Sequence, residues 1–296
     1  MTKIKISIKA YGYVDNNYKG KEITQNSFIE KDLTSFLLTE KDLRLILETL
    51  IISIKKTKTL YPDEQTNVIY HNNNRLESIK FDIIFDDELG DSQIIEEKAF
   101  FEQAAKYDNL SSLILKYCEV TDDGAEGTRI WGMSEYDEGP PAGTYAILAL
   151  VNQSKNWISN YIDFLRTNDL DHEVEQIWDI QSIIEKYGWG KETCRLAIAR
   201  NVSCCGQGGK EQFNNFLNNG LIDYLNSDEH RKEFLNLILQ EFREWDQIYF
   251  RLKKGFKQHY IDYIINYVQH FNRVLENKEI NEIETYLLSK WEDYKS

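Results

Sequence analysis

The chain has 296 residues, and 35 lysine and arginine residues stand against 49 aspartate and glutamate residues, for a formal net charge of −14. Such a surface repels phosphate backbones and anionic lipid, which argues against nucleic acid and membrane as partners. Hydrophobic residues make up 42% of the chain and aromatic residues 13%. This content is enough for ordered packing and exceeds that of a disordered tail.

The cysteines and the N-terminus both indicate a cytoplasmic protein. Two of the four cysteines are adjacent, and adjacent cysteines rarely bond each other without strain, so we expect reduced thiols at Cys118, Cys194, Cys204 and Cys205. At the N-terminus lysine alternates with isoleucine, so the continuous apolar block of a signal peptide is missing. No stretch reaches the ~20 apolar residues that a membrane-spanning helix requires.

Residues 1–118 have the pattern of an α+β domain. In residues 3–13 isoleucine alternates with polar residues, and residues 79–85 alternate in the same way, which predicts two strands of a small antiparallel sheet. Between them Thr39 is placed to cap a helix with leucines every three or four residues, and this helix is expected to cover the sheet. Residues 92–118 have helical spacing and predict one or two further helices.

Residues 119–143 interrupt the helical pattern and predict an acidic loop or linker, since they contain glycines and two of the chain's three prolines. Beyond this boundary, residues 144–296 predict an all-helical domain. Its short linkers predict antiparallel neighbours, in a bundle or in a stack whose architecture is like that of HEAT repeats, although no family motif supports the comparison. The predicted fold class is therefore α+β and predominantly α.

Start and stop signals mark several helices of the second domain. Ser227, followed by two acidic residues, predicts the start of a long helix whose apolar stripe begins at Phe234. Gly188, directly after Tyr187, predicts the end of another helix. These signals agree with the hydrophobic periodicity and define the helices independently of it.

The acidic segment, residues 119–138, is the candidate binding surface. It holds seven acidic residues against one basic residue, Arg129, with aromatic residues interleaved. A solvated loop would explain the carboxylates alone, but exposed rings favour a contact surface, because aromatic residues dominate interface energetics. The predicted partner-binding residues are Asp122, Asp123, Glu126, Trp131, Glu135, Tyr136, Asp137 and Glu138. Their spacing lacks the alternation of a calcium loop, so no metal is predicted.

Two other segments contain residue types that catalysis uses. Asp171, His172 and Glu173 are consecutive at a predicted helix start, where capping explains Asp171 without chemistry. The glycine-rich residues 204–210 have a lysine but lack the preceding strand and the following serine or threonine of a phosphate-binding loop. A nucleophilic Cys204 would need a neighbouring base. No catalytic residue and no cofactor is predicted.

The functional hypothesis is a protein-binding inhibitor, such as an immunity protein that neutralises a basic bacterial toxin or effector through its acidic aromatic surface. The alternative is a helical scaffold or adaptor in a larger assembly, which would bind through the face of its helical array. A third interpretation, which the sequence supports least, is an enzyme with a dispersed site: His172, Glu173, Arg200 and Cys204. Acidity that serves only solubility stays open as well.

Overall fold

The computed structural model describes residues 2–13, 20–31, 38–58, 75–86, 92–121, 143–167, 175–203, 213–252 and 269–295. The chain divides into two compact units, Met1–Trp157 and Ile158–Ser296. Helix is the predominant secondary structure of the described residues. The predicted predominance of helix is therefore confirmed.

Unit 1 begins with a four-stranded antiparallel sheet in the order β2-β1-β3-β4. The strands are β1 (Thr2–Tyr13), β2 (Gly20–Lys31), β3 (Arg75–Asp86) and β4 (Ser92–Ile95). In the register, Ile6 of β1 lies opposite Ser27 of β2 and Ile83 of β3. The side chain of Ile6 is buried, so the face of the sheet that carries it packs into the interior.

The strand β4 lies where helical spacing predicts a helix. Ser92–Ile95 pairs with the end of β3, with Ile94 opposite Ile84, and the helix begins only at Glu97. The prediction of helix is therefore wrong for residues 92–95. Consecutive β-branched isoleucines fit a strand better than a helix, and β3 supplies the neighbouring strand that pairs with one edge of β4.

The first helix, α1 (Glu40–Lys58), begins at a capping box. The backbone N–H and the hydroxyl of Thr39 both donate to Asp42 Oδ2, at 2.9 and 2.6 Å, and the Asp42 N–H lies 3.4 Å from the Thr39 hydroxyl. This reciprocal pairing satisfies N–H groups that have no partner within the helix. The predicted cap at Thr39 is confirmed, and α1 contacts β1 and β2.

Three further helices of unit 1 are α2 (Glu97–Ala104), α3 (Ser111–Thr121) and α4 (Thr144–Gln153). α2 contacts α3 and α4, and α3 also contacts α1 and α4. The Phe101 ring lies between its neighbours, with its centroid 5.3 Å from that of Phe100 and 4.7 Å from that of Tyr117. All three side chains are buried, and their packing brings the Tyr117 ring against α2.

Unit 2 contains α5 (Ile158–Thr167), α6 (Glu175–Tyr187), α7 (Lys191–Ser203), α8 (Asp228–Leu252) and α9 (Asn277–Lys295). α7 contacts α5, α6 and α8, and α8 contacts α9. In the core, the ring of Phe271 lies 5.0 Å from Phe213 and 6.1 Å from Phe234, each in an edge-to-face arrangement. These aromatic contacts join residues of three separate segments.

Two predicted helix boundaries in unit 2 are confirmed. Ser227 Oγ lies 3.4 Å from the backbone N–H of His230, so Ser227 caps the start of α8. Gly188 follows the last residue of α6 and has a φ of 72°, a left-handed conformation that favours glycine. Local chemistry therefore determines where these helices begin and end.

We expect Gly188→Ala to lower the free energy of unfolding by ~1 kcal/mol, because an added Cβ is strained at a positive φ. Gly190→Ala is the comparison, since Gly190 has no positive φ and, as at Gly188, no atom of the described residues is found within 4 Å of an added Cβ; as Gly190 directly precedes α7, only a small capping cost is expected there. Urea unfolding followed by circular dichroism measures both variants. Equal destabilisation of the two would contradict the assignment of strain to the backbone of Gly188.

Candidate functional site

The structure does not describe the predicted binding residues. Residues 122–142 lie outside the described residues, and they include Asp122, Asp123, Glu126, Trp131, Glu135, Tyr136, Asp137 and Glu138. Of the acidic segment, the structure describes residues 119–121, which end α3. The exposed carboxylate of Glu119 pairs with Lys116. Binding by this surface therefore stays a prediction. The described contacts involve the residues on either side of 122–142.

The residues weighed for catalysis also lie largely outside the described part of the chain. His172, Glu173 and Cys204 fall in the gaps at 168–174 and 204–212, and of Arg200 only the backbone is described.

A buried hydrogen-bonded pair lies where α2, α3 and the start of α4 meet. The Tyr117 hydroxyl of α3 donates to Glu97 Oε1 of α2 at 2.9 Å. The backbone of Gly143, just before α4, also hydrogen-bonds to the Glu97 carboxyl. Tyr117 is only 1% exposed, so the carboxyl is held against the interior although part of the Glu97 residue reaches the surface.

This environment changes the titration of both groups. Burial raises the pKa of Glu97 from 4.5 to about 7, and the hydrogen bonds from Tyr117 and Gly143 oppose that rise only partly. Burial, together with the neighbouring Glu97 carboxylate, raises the pKa of Tyr117 well above its usual value of 10.0. Glu97 therefore titrates near neutral pH, whereas Tyr117 keeps its proton.

Further polar contacts around this pair involve the residues that precede and follow residues 122–142. Cys118 Sγ lies 3.7 Å from the carbonyl oxygen of Gly143, and the Thr121 hydroxyl lies 3.0 Å from the carbonyl oxygens of Tyr117 and Cys118. Thr144 Oγ1 is buried and has no hydrogen-bond partner among the described residues. We call this cluster the polar junction and define it as Glu97, Tyr117, Cys118, Thr121, Gly143 and Thr144.

Unit 2 has a buried ion pair between α7 and α8. Arg195 Nε donates to Glu241 Oε1 at 2.6 Å, and Arg195 Nη1 lies 3.5 Å from the Ser159 hydroxyl on α5. The Glu241 side chain is fully buried, while that of Arg195 is 16% exposed. A buried carboxylate requires such a cation, so the pair holds the three helices in a defined arrangement.

The thiol and the imidazole that the structure describes in unit 2 have structural surroundings. Burial is the main cause that raises the pKa of the Cys194 thiol to about 12, so Cys194 is not a thiolate nucleophile at neutral pH. The His230 ring stacks on Tyr224 at a centroid distance of 4.1 Å, and its Nδ1 lies 2.8 Å from the Tyr224 carbonyl oxygen. These contacts secure the start of α8.

Metal binding and membrane insertion find no support in the described ranges. No group of three or more histidine, cysteine, aspartate or glutamate residues there could hold a metal ion. No helix in those ranges has both the length and the apolar composition needed to cross a membrane.

Comparison with known proteins provides no family assignment. The chain matches no protein-family model, no curated protein and no solved structure.

Sequence reasoning missed Glu97 and Glu241, although a signal for each was present. Glu97 occupies the buried stripe of α2, three and four residues before Phe100 and Phe101. Glu241 follows Ile238 by three residues on the buried stripe of α8. A carboxylate at an apolar stripe position implies a buried partner, but the periodicity cannot identify that partner.

We expect Arg195→Met to lower the free energy of unfolding by ~3–5 kcal/mol, because it leaves the Glu241 carboxylate buried without its cation. Lys116→Met is the control, since it breaks the exposed pair with Glu119 and is expected to change stability little. Chemical denaturation at neutral pH compares the two variants with the unmodified chain. If Arg195→Met lowered the free energy of unfolding as little as Lys116→Met does, the buried pair would contribute no stability.

Proposed function

We propose that the chain is a protein-binding inhibitor, most simply an immunity protein that neutralises a basic bacterial toxin or effector. The observation that supports this function is the composition of residues 119–138, where seven acidic residues stand against one basic residue. Such a charge distribution steers a cationic protein toward the segment and raises the association rate. Its interleaved rings, Trp131 and Tyr136, supply the apolar area that a stable interface needs.

The described flanks are compatible with a surface of this kind. Thr121 and Gly143 border residues 122–142, and both take part in buried hydrogen bonds of the polar junction. The proposed surface is therefore connected to folded helices at both of its ends. A surface attached in this way loses less conformational freedom on binding than a free tail does.

We also propose the finer organisation that the composition favours. The composition divides the chain into an α+β N-terminal domain, residues 1–118, with a small antiparallel sheet, and an antiparallel helical array, residues 144–296, whose first helix, α4, packs on α2 and α3 of unit 1. The protein would act in the cytoplasm. The successive contacts of α7 with α5, α6 and α8 support an array in which neighbouring helices pack on one another.

Those successive contacts also favour a second candidate function, a helical scaffold in a larger assembly. In that case binding would depend on the helical array rather than on the acidic segment. Trp157 and Trp178 are the large aromatic residues by which a partner would be bound. The two functions therefore differ in which substitutions abolish binding.

The test is affinity purification of the tagged chain from its bacterial host at about 50 mM salt, where charge attraction is screened little. We expect a basic protein to be retained at this salt concentration and released at high salt. The triple variant Trp131→Ala, Asp137→Asn, Glu138→Gln should reduce the amount retained at least tenfold. The double variant Glu48→Gln, Glu102→Gln is the matched control, since it removes two exposed carboxylates outside the segment.

Retention of a partner by the triple variant, together with its loss in Trp157→Ala, would favour the scaffold. If no basic protein is recovered at low salt, the inhibitor function is wrong.

A further inference from the structure

Glu97 is a buried acid that the proposed partner surface does not use. It connects three elements, because its carboxyl accepts a hydrogen bond from Tyr117 of α3 and one from the backbone of Gly143 at the start of α4. Phe100 and Phe101, on the same side of α2, are fully buried, so this side of the helix faces the interior and only part of Glu97 reaches the surface. A negative charge at Glu97 would therefore lie in a poorly solvated site whose described donors, Tyr117 and Gly143, are both neutral.

Among the described residues, the titratable groups near Glu97 do not include a compensating cation. α3 contributes the Tyr117 phenol, which donates to the carboxyl, and beside it the Cys118 thiol, and neither group supplies a positive charge. α4 contributes the Gly143 backbone and the uncharged Thr144 hydroxyl, which has no hydrogen-bond partner among the described residues.

α2 also contacts α1 and β3. α1 has a buried carboxylate, Asp42, but that group binds Thr39 within its own capping box. The side chains of β3 are outside the described part of the structure. In the described surroundings, protonation of its own carboxyl is thus the means of neutralising Glu97.

We propose that the packing of α4 on α2 and α3 at the polar junction depends on a proton. The contact is stable while the Glu97 carboxyl is protonated and is weakened when that carboxyl ionises. A protonated carboxyl keeps an oxygen that can accept the hydrogen bonds of Tyr117 and Gly143, and it avoids the cost of a buried charge. An ionised carboxyl gains solvation only by moving towards water, which separates it from both donors. This response involves unit 1 alone and needs no partner.

The direction of the pH dependence follows from linkage. In the unfolded chain Glu97 loses its proton near pH 4.5, whereas in the folded chain it keeps the proton up to about pH 7. The contribution of Glu97 to stability is therefore greatest below pH 4.5 and declines as the pH rises towards 7. The unfolding equilibrium constant would increase by at most ~300-fold across this window, the ratio that corresponds to the difference between the two pKa values.

Amide hydrogen exchange tests this response at the start of α4. The backbone N–H of Ile147 donates to the Gly143 carbonyl oxygen at 3.0 Å, so its protection reports on the first turn of the helix. After correction for intrinsic exchange, we expect protection of Ile147 in the unmodified chain to fall at least tenfold between pH 5.5 and 8.5.

Glu97→Gln keeps an oxygen that can accept the Tyr117 hydrogen bond but cannot ionise, so its protection should not change with pH. The matched control, Glu102→Gln, removes an exposed carboxylate from the same helix and should behave like the unmodified chain. The same pH dependence in Glu97→Gln and in the unmodified chain would overturn the proposal.

A second variant gives a result even if Glu97→Gln does not fold. Tyr117→Phe removes the hydroxyl that favours the ionised carboxyl, so the pKa of Glu97 should rise further and the midpoint of the protection loss should move to higher pH. Tyr107→Phe, between α2 and α3, is the control and should keep the original midpoint. An unchanged midpoint in Tyr117→Phe would overturn the proposal.

Discussion

Burying a carboxyl group between helices is the physical constraint on which both units depend. Removing a carboxylate from water costs on the order of several kcal/mol unless nearby groups compensate for the lost solvation. In unit 2, Arg195 supplies a permanent positive charge to Glu241 at 2.6 Å. In unit 1, the described donors to Glu97 are neutral, so the carboxyl is stabilised by keeping its proton. The same constraint thus gives an ion pair in one unit and a group that titrates near pH 7 in the other.

The polar junction and the acidic segment use carboxyl groups in opposite ways. The junction keeps one carboxyl away from water, and its hydrogen bonds fix Thr121 and Gly143, the residues on either side of 122–142. The segment itself concentrates acidic residues, which under the proposed function attract a cationic partner only while they are ionised. The formal net charge of −14 does not distinguish the buried carboxyl group from the acidic segment, so each is identified by its position in the chain.

The sequence predicted the local features of the fold well. Thr39 and Ser227 were recognisable as caps and Gly188 as a stop, because in each case the structure is determined by residues within one helical turn. The prediction was wrong at residues 92–95, where the pairing of Ile94 with Ile84 outweighs a weak helical pattern. Strand pairing depends on a distant segment, which periodicity within a short window cannot detect.

By itself, the sequence determined the predominance of helix, several helix ends and the acidic composition of residues 119–138. Only the tertiary structure decided that Glu97 meets Tyr117, 20 residues away, and that Glu241 meets Arg195, 46 residues away. A helical stripe shows that a carboxylate faces the interior, but the residue that reaches it depends on how the helices pack. Because the pKa of a buried group is determined by those neighbours, the titration of Glu97 near neutral pH follows from the fold and not from the sequence pattern.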